Sequence, residues 1–277
     1  MFTLSAFADE ISPDPVEQID VLTKCGVRHV ELRSIHKTNV LDLTDLQVRE
    51  FESLLDKHGL GLSAIGSPIG KVKIDSPFEP HLARFRRALE LCKVFGTGRI
   101  RIFSYYPPGE AADWNGVEER WHEEVFDRMA RKAELAAEAD VRLVHENEHR
   151  IFGDSPERVA QLFEQVQTPA LRAVYDAANY VFCGHDPWEG WQKTKGLTVH
   201  FHAKDWKKGG AHGSLMGEGD GRWPEVISDA RDFVGFATLE PHLLGGGPTG
   251  GVTGPELFPK AVAALRGLLD RAGVPHD

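Results

Sequence analysis

Four side chains that can bind a divalent cation stand at the ends of four successive short apolar runs. The runs cover residues 141–146, 171–176, 197–202 and 236–240, and their last residues are Glu146, Asp176, His202 and Glu240. Three carboxylates and one imidazole form a donor set typical of a hard or borderline divalent metal ion. The sequence therefore predicts one metal site, provided that the fold brings these four positions together.

The spacing of the four residues matches a repeated strand-and-helix unit. Successive candidates are 30, 26 and 38 residues apart, and each interval accommodates one βα unit. In a parallel barrel every strand ends at the same face, so side chains at four consecutive strand ends can approach a common point. Carboxylates buried close together repel one another unless they are protonated or bridged by a cation, which favours a metal site.

Each candidate taken alone has a structural alternative. Asp176 could cap the segment that follows it, His202 could be a core histidine, and Glu146 or Glu240 could form an ion pair at the barrel rim. The joint spacing is what favours the metal interpretation over these alternatives.

Neighbouring residues offer alternative ligands. Glu148 and His200 lie two positions from a candidate and share its strand face, so either could also point inward. The direction of His242 is left open, because Pro241 is expected to end the strand before it. One ligand from each strand end is the simpler expectation.

The elements that would position these residues alternate along the whole chain. Short β-rich runs and longer amphipathic stretches follow one another, the pattern of a parallel sheet with crossover helices. The eight predicted strands are residues 3–8, 29–32, 60–66, 100–105, 141–146, 171–176, 198–202 and 236–240. Because barrels of about 250 residues form one domain, we predict a single (β/α)8 TIM barrel over residues 1–277, with an open doubly wound sheet as the alternative.

Helix signals fall in the intervals between the predicted strands. A helix is predicted over residues 44–58, and the longest over residues 117–139. Ser155 supplies an N-cap and Pro156 a first-turn proline for the next helix. The last helix is expected to open at Gly254. Glycine-rich segments 209–221 and 245–254 follow the seventh and eighth strands, on the side where barrels build their sites.

Composition excludes several classes of function. The formal net charge of −10 argues against nucleic acid, since binding a phosphate backbone needs clustered lysine and arginine. Three widely spaced cysteines suggest neither disulfides nor a cysteine-based zinc site. The N-terminus lacks a basic signal-peptide start, and no apolar run approaches the roughly 20 residues of a membrane span. We expect a soluble cytoplasmic protein without nucleic acid or membrane partners.

Four blocks of the sequence resemble the sugar phosphate isomerase/epimerase family, the xylose isomerase-like TIM barrels. That superfamily includes ketose 3-epimerases, inosose dehydratases and endonuclease IV. The resemblance covers nearly the whole chain and identifies the superfamily more sharply than the substrate. The blocks are His145-Glu-Asn-Glu148, Tyr175-Asp-Ala-Ala-Asn179, His200-Phe-His-Ala-Lys-Asp205 and Leu239-Glu-Pro-His242.

The resemblance implies that Glu146, Asp176, His202 and Glu240 bind one divalent metal ion, commonly Mn²⁺ or Mg²⁺ and sometimes Co²⁺ or Zn²⁺. In the ketose epimerases, the glutamates that match Glu146 and Glu240 also act as acid and base on opposite faces of the sugar. The implied activity is sugar isomerisation or epimerisation by proton transfer beside a carbonyl, through an enediolate that the cation stabilises.

Two departures from the epimerase pattern keep a second reaction open. Asn179 stands where ketose epimerases usually carry a histidine, and Lys204 with Asp205 replaces an ending that contains arginine. Lys204 could bind a carboxylate, a phosphate or an enolate oxygen, or it could form a rim ion pair with Asp205 or Glu240. The alternative function is a metal-dependent lyase or dehydratase that acts on a keto sugar, an inosose or a 3-keto-glycoside.

The expected partner is a small sugar or keto sugar, and barrels of this type often form homodimers or homotetramers. Nuclease action is disfavoured, because the early strand ends lack extra histidines. A sugar-binding or structural role without catalysis is the non-enzymatic alternative. The predicted substrate-binding residues are Lys204, Asn179, Glu148, Arg33 and Ser67.

Overall fold

Eight parallel strands close into a barrel in the computed structural model, which describes residues 1–247 and 250–277. The predicted (β/α)8 TIM-barrel fold is thereby confirmed. Strands that follow one another in the chain pair side by side, and the last strand closes on the first. The strands are β1 (Phe2–Ala6), β2 (His29–Leu32), β3 (Gly61–Ile65), β4 (Arg99–Ile102), β5 (Arg142–Glu146), β6 (Leu171–Asp176), β7 (Thr198–Ala203) and β8 (Gly235–Leu239).

Helices connect the strands and cover the outside of the barrel. No helix in the described ranges combines the length and the apolar character that a membrane span needs. The helices are α1 (Pro15–Lys24), α2 (Asp45–His58), α3 (Phe78–Phe95), α4 (Glu119–Glu138), α5 (Pro156–Gln165), α6 (Ala177–Cys183), α7 (Pro187–Thr194), α8 (Trp223–Asp229) and α9 (Phe258–Ala272).

The capping signals of the sequence act where they were expected, with one exception. Ser155 accepts a hydrogen bond from the backbone N–H of Arg158, and Pro156 opens α5. The predicted start of the last helix at Gly254 was wrong, since α9 begins at Phe258. Gly254 adopts the left-handed conformation (φ 79°) and donates its N–H to Glu10, so it belongs to the preceding turn. Of the predicted segment 245–254, residues 248 and 249 lie outside the described residues.

An aromatic cluster between the barrel and the helices fixes the orientation of β7. The ring of Phe201 lies 5.4 Å from that of Phe2 and 5.5 Å from that of Trp191, centroid to centroid. Side chains alternate across a strand, so the outward direction of Phe201 turns His200 and His202 toward the barrel axis. Both histidines are fully buried there.

Candidate metal centre

The four predicted ligands converge at the carboxyl ends of their strands. Glu146, Asp176 and His202 lie in β5, β6 and β7, and Glu240 directly follows β8. Each offers one ligand atom, and these four atoms all lie within 4.8 Å of one another. Asp176 and His202 are fully buried, and Glu240 is only 4% exposed. The spacing argument from the sequence therefore corresponds to a real cluster of side chains.

Glu31 of β2 orients the imidazole of His202. Nε2 of His202 lies 3.2 Å from Oε2 of Glu31, and its Nδ1 lies 3.1 Å from Oε1 of Glu146 and 3.6 Å from Oε2 of Glu240. When Nε2–H donates to Glu31, Nδ1 presents a lone pair to the other ligands. A carboxylate on the distal nitrogen is the usual support of a metal-binding histidine.

Asp176 combines the capping role with its place in the cluster. Its Oδ1 accepts the backbone N–H of Asn179 at 2.9 Å and so caps α6. Its Oδ2 lies 2.7 Å from Nζ of Lys204. The side-chain amide of Asn147 binds the backbone of Asp176 through both its oxygen and its nitrogen. Oδ1 of Asp176 therefore caps the helix, and Oδ2 of the same carboxylate is the oxygen available to a metal ion.

Three cationic side chains compensate the charge of the cluster. Arg101 of β4 lies 3.2 Å from Oε2 of Glu146, and Arg33, which follows β2, lies 3.0 Å from Oε1 of Glu240. Lys204 bridges Asp176 and Glu240, with Nζ 3.2 Å from Oε2 of the glutamate. The ligands thus come from the second half of the barrel, and both guanidinium groups come from the first half.

The proton affinities of the cluster differ between neighbouring groups. Burial, reinforced by Glu146 and Glu240, raises the pKa of Asp176 to about 7 despite Lys204. Burial also acts on Glu240, but Lys204 and His242 outweigh it and hold the pKa of Glu240 well below its usual range. Burial lowers the pKa of His202, whereas the nearby carboxylates raise it to about 10. The cluster therefore retains protons that an entering cation would displace.

The residues present fit a divalent metal ion. Within the part of the chain that the structure describes, Oδ2 of Asp176 and Nδ1 of His202 are buried and have no hydrogen-bond partner. Their close neighbours, Lys204 for the aspartate and Glu146 for the histidine, lie at ion-pair distance but outside hydrogen-bond geometry. Buried polar atoms normally find a partner. Three carboxylates and one imidazole suit Mn²⁺ or Mg²⁺ better than a thiophilic ion.

Glu146 and Glu240 of the cluster line a cavity of about 690 Å³ at the carboxyl ends of the strands, whereas Asp176 and His202 are fully buried beside them. Four of the five predicted substrate-binding residues line this cavity. They are Arg33, Glu148, Asn179 and Lys204. The fifth, Ser67, is fully buried and does not line it, because its hydroxyl group donates to the backbone carbonyl of Arg101.

The alternative ligands occupy other positions. Glu148 faces the cavity but pairs with Lys71 at 2.9 Å and with His149 at 2.6 Å. His200 points inward one layer deeper, where its Nε2 lies 2.7 Å from Oγ1 of Thr238 and 3.0 Å from Oε2 of Glu31. Neither side chain belongs to the four-ligand cluster.

The structure resolves the open direction of His242. Its backbone adopts a left-handed conformation (φ 49°), which turns the imidazole back toward the site. Nε2 lies 3.2 Å from Oε1 of Glu10 and 3.3 Å from Oε1 of Glu240. Burial lowers the pKa of His242, but these two carboxylates raise it to about 9. His242 is therefore a cation beside Glu240 at neutral pH.

Sequence reasoning missed the roles of Glu31 and Arg101. Arg33 binds Asp9 at 2.8 Å and Glu240 at 3.0 Å, whereas Glu31 binds the two histidines of β7. The available signal was a charged residue among the buried positions of a strand, since a buried charge requires a partner.

Asp205 has a role in the loop rather than in the cluster. Its two carboxylate oxygens accept the backbone N–H groups of Gly217, Gly219 and Gly221 at 2.9 to 3.0 Å. A Cβ atom at Gly219 would lie 2.3 Å from Oδ1 of Asp205, so the glycine permits this close approach. The predicted glycine-rich segment 209–221 is thus tied to the strand end that carries Lys204.

Comparisons with known proteins were consistent with this geometry. A family model described as xylose isomerase-like TIM barrel matches residues 19–274. No curated protein matches the chain in sequence.

Solved structures with similar folds share few residues with this chain. The probable 3-DHS dehydratase AsbF of Bacillus anthracis is 18% identical, with a TM-score of 0.74, and the match covers 96% of this chain and 98% of that one. A xylose isomerase-like TIM barrel protein of Mycobacterium smegmatis in complex with magnesium is 15% identical, with a TM-score of 0.72 and coverages of 98% and 97%. An L-ribulose 3-epimerase is 14% identical, with a TM-score of 0.74 and coverages of 98% and 95%. At these identities the likeness is one of fold.

Proposed function

The chain belongs to the xylose isomerase-like TIM barrel family, and on this basis we propose that it is a divalent-metal-dependent isomerase or epimerase of a sugar or sugar derivative. The proposed reaction moves a proton beside a carbonyl group through an enediolate. One observation carries the proposal: Glu146, Asp176, His202 and Glu240 present buried ligand atoms within 4.8 Å of one another, and the two glutamates line a cavity.

The proposed ligands of the metal ion are these same four residues. Mn²⁺ or Mg²⁺ is the favoured ion because oxygen donors predominate, and Co²⁺ or Zn²⁺ is the alternative. When bound, such an ion polarises a carbonyl oxygen and stabilises the negative charge that develops on it. Glu31 would hold His202 in the tautomer that binds through Nδ1, from its position 3.2 Å from Nε2.

Glu146 and Glu240 are the proposed proton carriers. Lys204 and His242 keep Glu240 ionised even though it is buried, so it is suited to remove a proton from carbon. Glu146, held by Arg101 at 3.2 Å and by the amide of Asn179 at 3.2 Å, would return a proton from the other side. Transfer to the opposite face of the carbon inverts its configuration.

The remaining polar residues of the cavity are proposed to bind the sugar. Arg33, Asn179 and Glu148 can hydrogen-bond hydroxyl groups, and Nζ of Lys204 can contact an oxygen that carries negative charge. All four lie on the cavity wall. Assembly of the protein as a homodimer or homotetramer remains a prediction.

Solvent-deuterium exchange tests the proposal. The purified protein, loaded with Mn²⁺, is incubated with ketohexoses in D₂O, and exchange at carbon is followed by NMR. We expect exchange with the native protein and at least a 100-fold loss in Glu240→Gln, whose thermal stability stays close to that of the native protein. Exchange retained in this variant would remove Glu240 as the base. Lack of stoichiometric metal in the native protein, with unchanged metal content and stability in Glu146→Gln, would leave the non-enzymatic role.

A second candidate function is a lyase or dehydratase that acts on a keto sugar, an inosose or a 3-keto-glycoside. Its support is a pair of cationic donors, Lys204 and His242, which line the cavity beside Glu240. After Glu240 removes the proton next to the ketone, one of these donors can protonate the oxygen that leaves from the β-carbon. Incubation with a 3-keto-glucoside or an inosose decides between the reactions: release of aglycone or water indicates elimination, and an epimeric product indicates the first candidate.

A further inference from the structure

One wall of the cavity carries exposed aromatic side chains. Phe182 is 58% exposed, more than any other phenylalanine, tryptophan or tyrosine in the described part of the chain. Its ring lies 6.0 Å from the ring of Trp206 and 5.3 Å from that of His149, edge to face. All three line the cavity, and together they form what we call the aromatic rim. A large apolar side chain left in solvent at a cavity is a feature of binding sites.

Helix α6 sets the distance between the aromatic rim and the metal cluster. Asp176 caps the helix, and Ala178, Asn179 and Phe182 all line the cavity, so one helical face runs outward along its wall. Six residues separate Asp176 from Phe182, which corresponds to roughly 9 Å along the helix axis. A six-membered sugar ring spans only about 5 Å between its outermost oxygens, from single bonds near 1.5 Å. One ring bound at the cluster therefore leaves the aromatic rim uncovered.

Two hydrogen bonds hold Trp206 of the aromatic rim in place. The backbone N–H of Trp206 donates to Oδ1 of Asp205 at 2.9 Å, and its indole N–H donates to the carbonyl of Gly210 at 3.1 Å. With both donors engaged, the indole presents only carbon to a ligand. Fixed aromatic surfaces lose little entropy on binding, so they suit the apolar face of a ring.

We propose that the aromatic rim is a subsite for a second ring, joined by a glycosidic oxygen to the sugar at the metal cluster. This inference rests on the proposed function, because it takes the first ring to sit at the cluster. It names the substrate class as a glycoside with two rings. The second ring is either an aromatic aglycone or another sugar, since both offer a flat apolar face. The concave position of the aromatic rim favours such a ligand over a protein partner.

Binding of matched glucosides tests the subsite without requiring turnover. Affinities of the Mg²⁺-loaded protein for methyl and phenyl β-D-glucopyranoside are compared by calorimetry, with cellobiose and glucose as the sugar pair. We expect the second ring to tighten binding by about 3- to 10-fold, as expected for one aromatic contact. Preference for phenyl alone identifies an aromatic aglycone, and preference for cellobiose a sugar.

Variants of Phe182 locate the preference. Phe182→Ala should remove most of the two-ring preference, and Phe182→Tyr, which retains the ring, should restore it. Val234→Ala changes a side chain that is 78% exposed before β8, at the opposite end of the barrel, and should leave the preference unchanged. No preference in the native protein, no detectable binding of either two-ring ligand, or equal preference in Phe182→Ala overturns the subsite.

The two proposals fail separately. A two-ring preference that depends on Phe182, without deuterium exchange into any keto sugar, removes the enediolate reaction but keeps the subsite. Deuterium exchange into monosaccharides without any two-ring preference keeps the enediolate reaction but removes the subsite.

Discussion

Two groups of carboxylate and imidazole side chains lie one above the other inside the barrel, and they differ in access. The upper cluster is Glu146, Asp176, His202 and Glu240, and it borders the cavity. The lower cluster is Glu31, His200 and Thr238, all three fully buried. Glu31 and His200, together with His202, also have the composition and proximity of a metal site. Composition alone would therefore assign a metal to both levels.

The surroundings of the two clusters indicate different roles. Around the upper cluster, arginine and lysine compensate carboxylates whose ligand atoms face one another. In the lower cluster, His202 and His200 outweigh burial and hold the pKa of Glu31 well below its usual range, so this carboxylate is stabilised by the two imidazoles that contact it. The shared residue is His202, which contacts Glu146 through Nδ1 and Glu31 through Nε2. The lower cluster is best understood as support for the upper one.

Removing a ligand of the upper cluster should have the largest effect. Asp176→Asn keeps an oxygen that can cap α6 but replaces the charged ligand by a neutral one. We expect Mn²⁺ affinity, measured by calorimetry, to fall by about 100-fold with little change in thermal stability. Asp186→Asn is the matched control, because Asp186 caps α7 from an exposed position. Equal losses in both variants would mean that the upper cluster does not bind the ion.

Neutralising Glu31, the residue that supports His202, should have an intermediate effect on metal affinity. Glu31→Gln keeps the volume of the side chain but weakens the hydrogen bond that orients His202. We expect about a tenfold loss of Mn²⁺ affinity, as found for residues that support a metal ligand. Glu148→Gln, another buried glutamate with a cationic partner, serves as control and should change the affinity by less than about twofold. If Glu31→Gln binds Mn²⁺ as tightly as the native protein does, the lower cluster does not support metal binding by the upper cluster.

Changing the lower cluster alone should affect stability and not the metal. Thr238→Val removes the hydroxyl that lies 2.7 Å from Nε2 of His200, which retains its contact with Glu31. We expect the free energy of unfolding in urea to fall by about 1 kcal/mol, with Mn²⁺ affinity unchanged. Thr198→Val is the control: it removes a hydroxyl group bonded to the carbonyl of Thr194 and measures the fall in the free energy of unfolding when a buried hydrogen bond outside the lower cluster is lost. A loss of metal affinity in Thr238→Val alone would mean that the lower cluster is part of the site.

The barrel and the convergence of the four strand-end side chains were predictable because both repeat with one period. Each βα unit returns the chain to the same face, so residues at corresponding strand ends meet whatever the details of the loops. The spacing of the strands alone was sufficient to predict that Asp176 and His202 lie close together. Parity within a strand also placed His200 on the correct face.

The partners of buried charges were not predictable in this way. Glu31 meets His202 across 171 residues of sequence, and only closure of the barrel brings them together. Ser67 follows a strand end, but its hydroxyl group donates to the backbone carbonyl of Arg101 instead of facing the cavity. The alternation of residues along a strand determines the face on which a side chain lies. The residue with which that side chain forms a hydrogen bond or ion pair depends on how the closed barrel brings distant strands together.

The ring of N–H groups around Asp205 has a consequence for redesign of the protein. Trp206 and Gly217 both donate to this carboxylate, so the excursion between them is closed at its base. Gly213 cannot be replaced, since a Cβ there would lie 1.9 Å from the carbonyl oxygen of Pro241. Residues 207–212 lie between these fixed points, and a graft that keeps a carbonyl acceptor at position 210 can change the loop while the indole of Trp206 stays anchored.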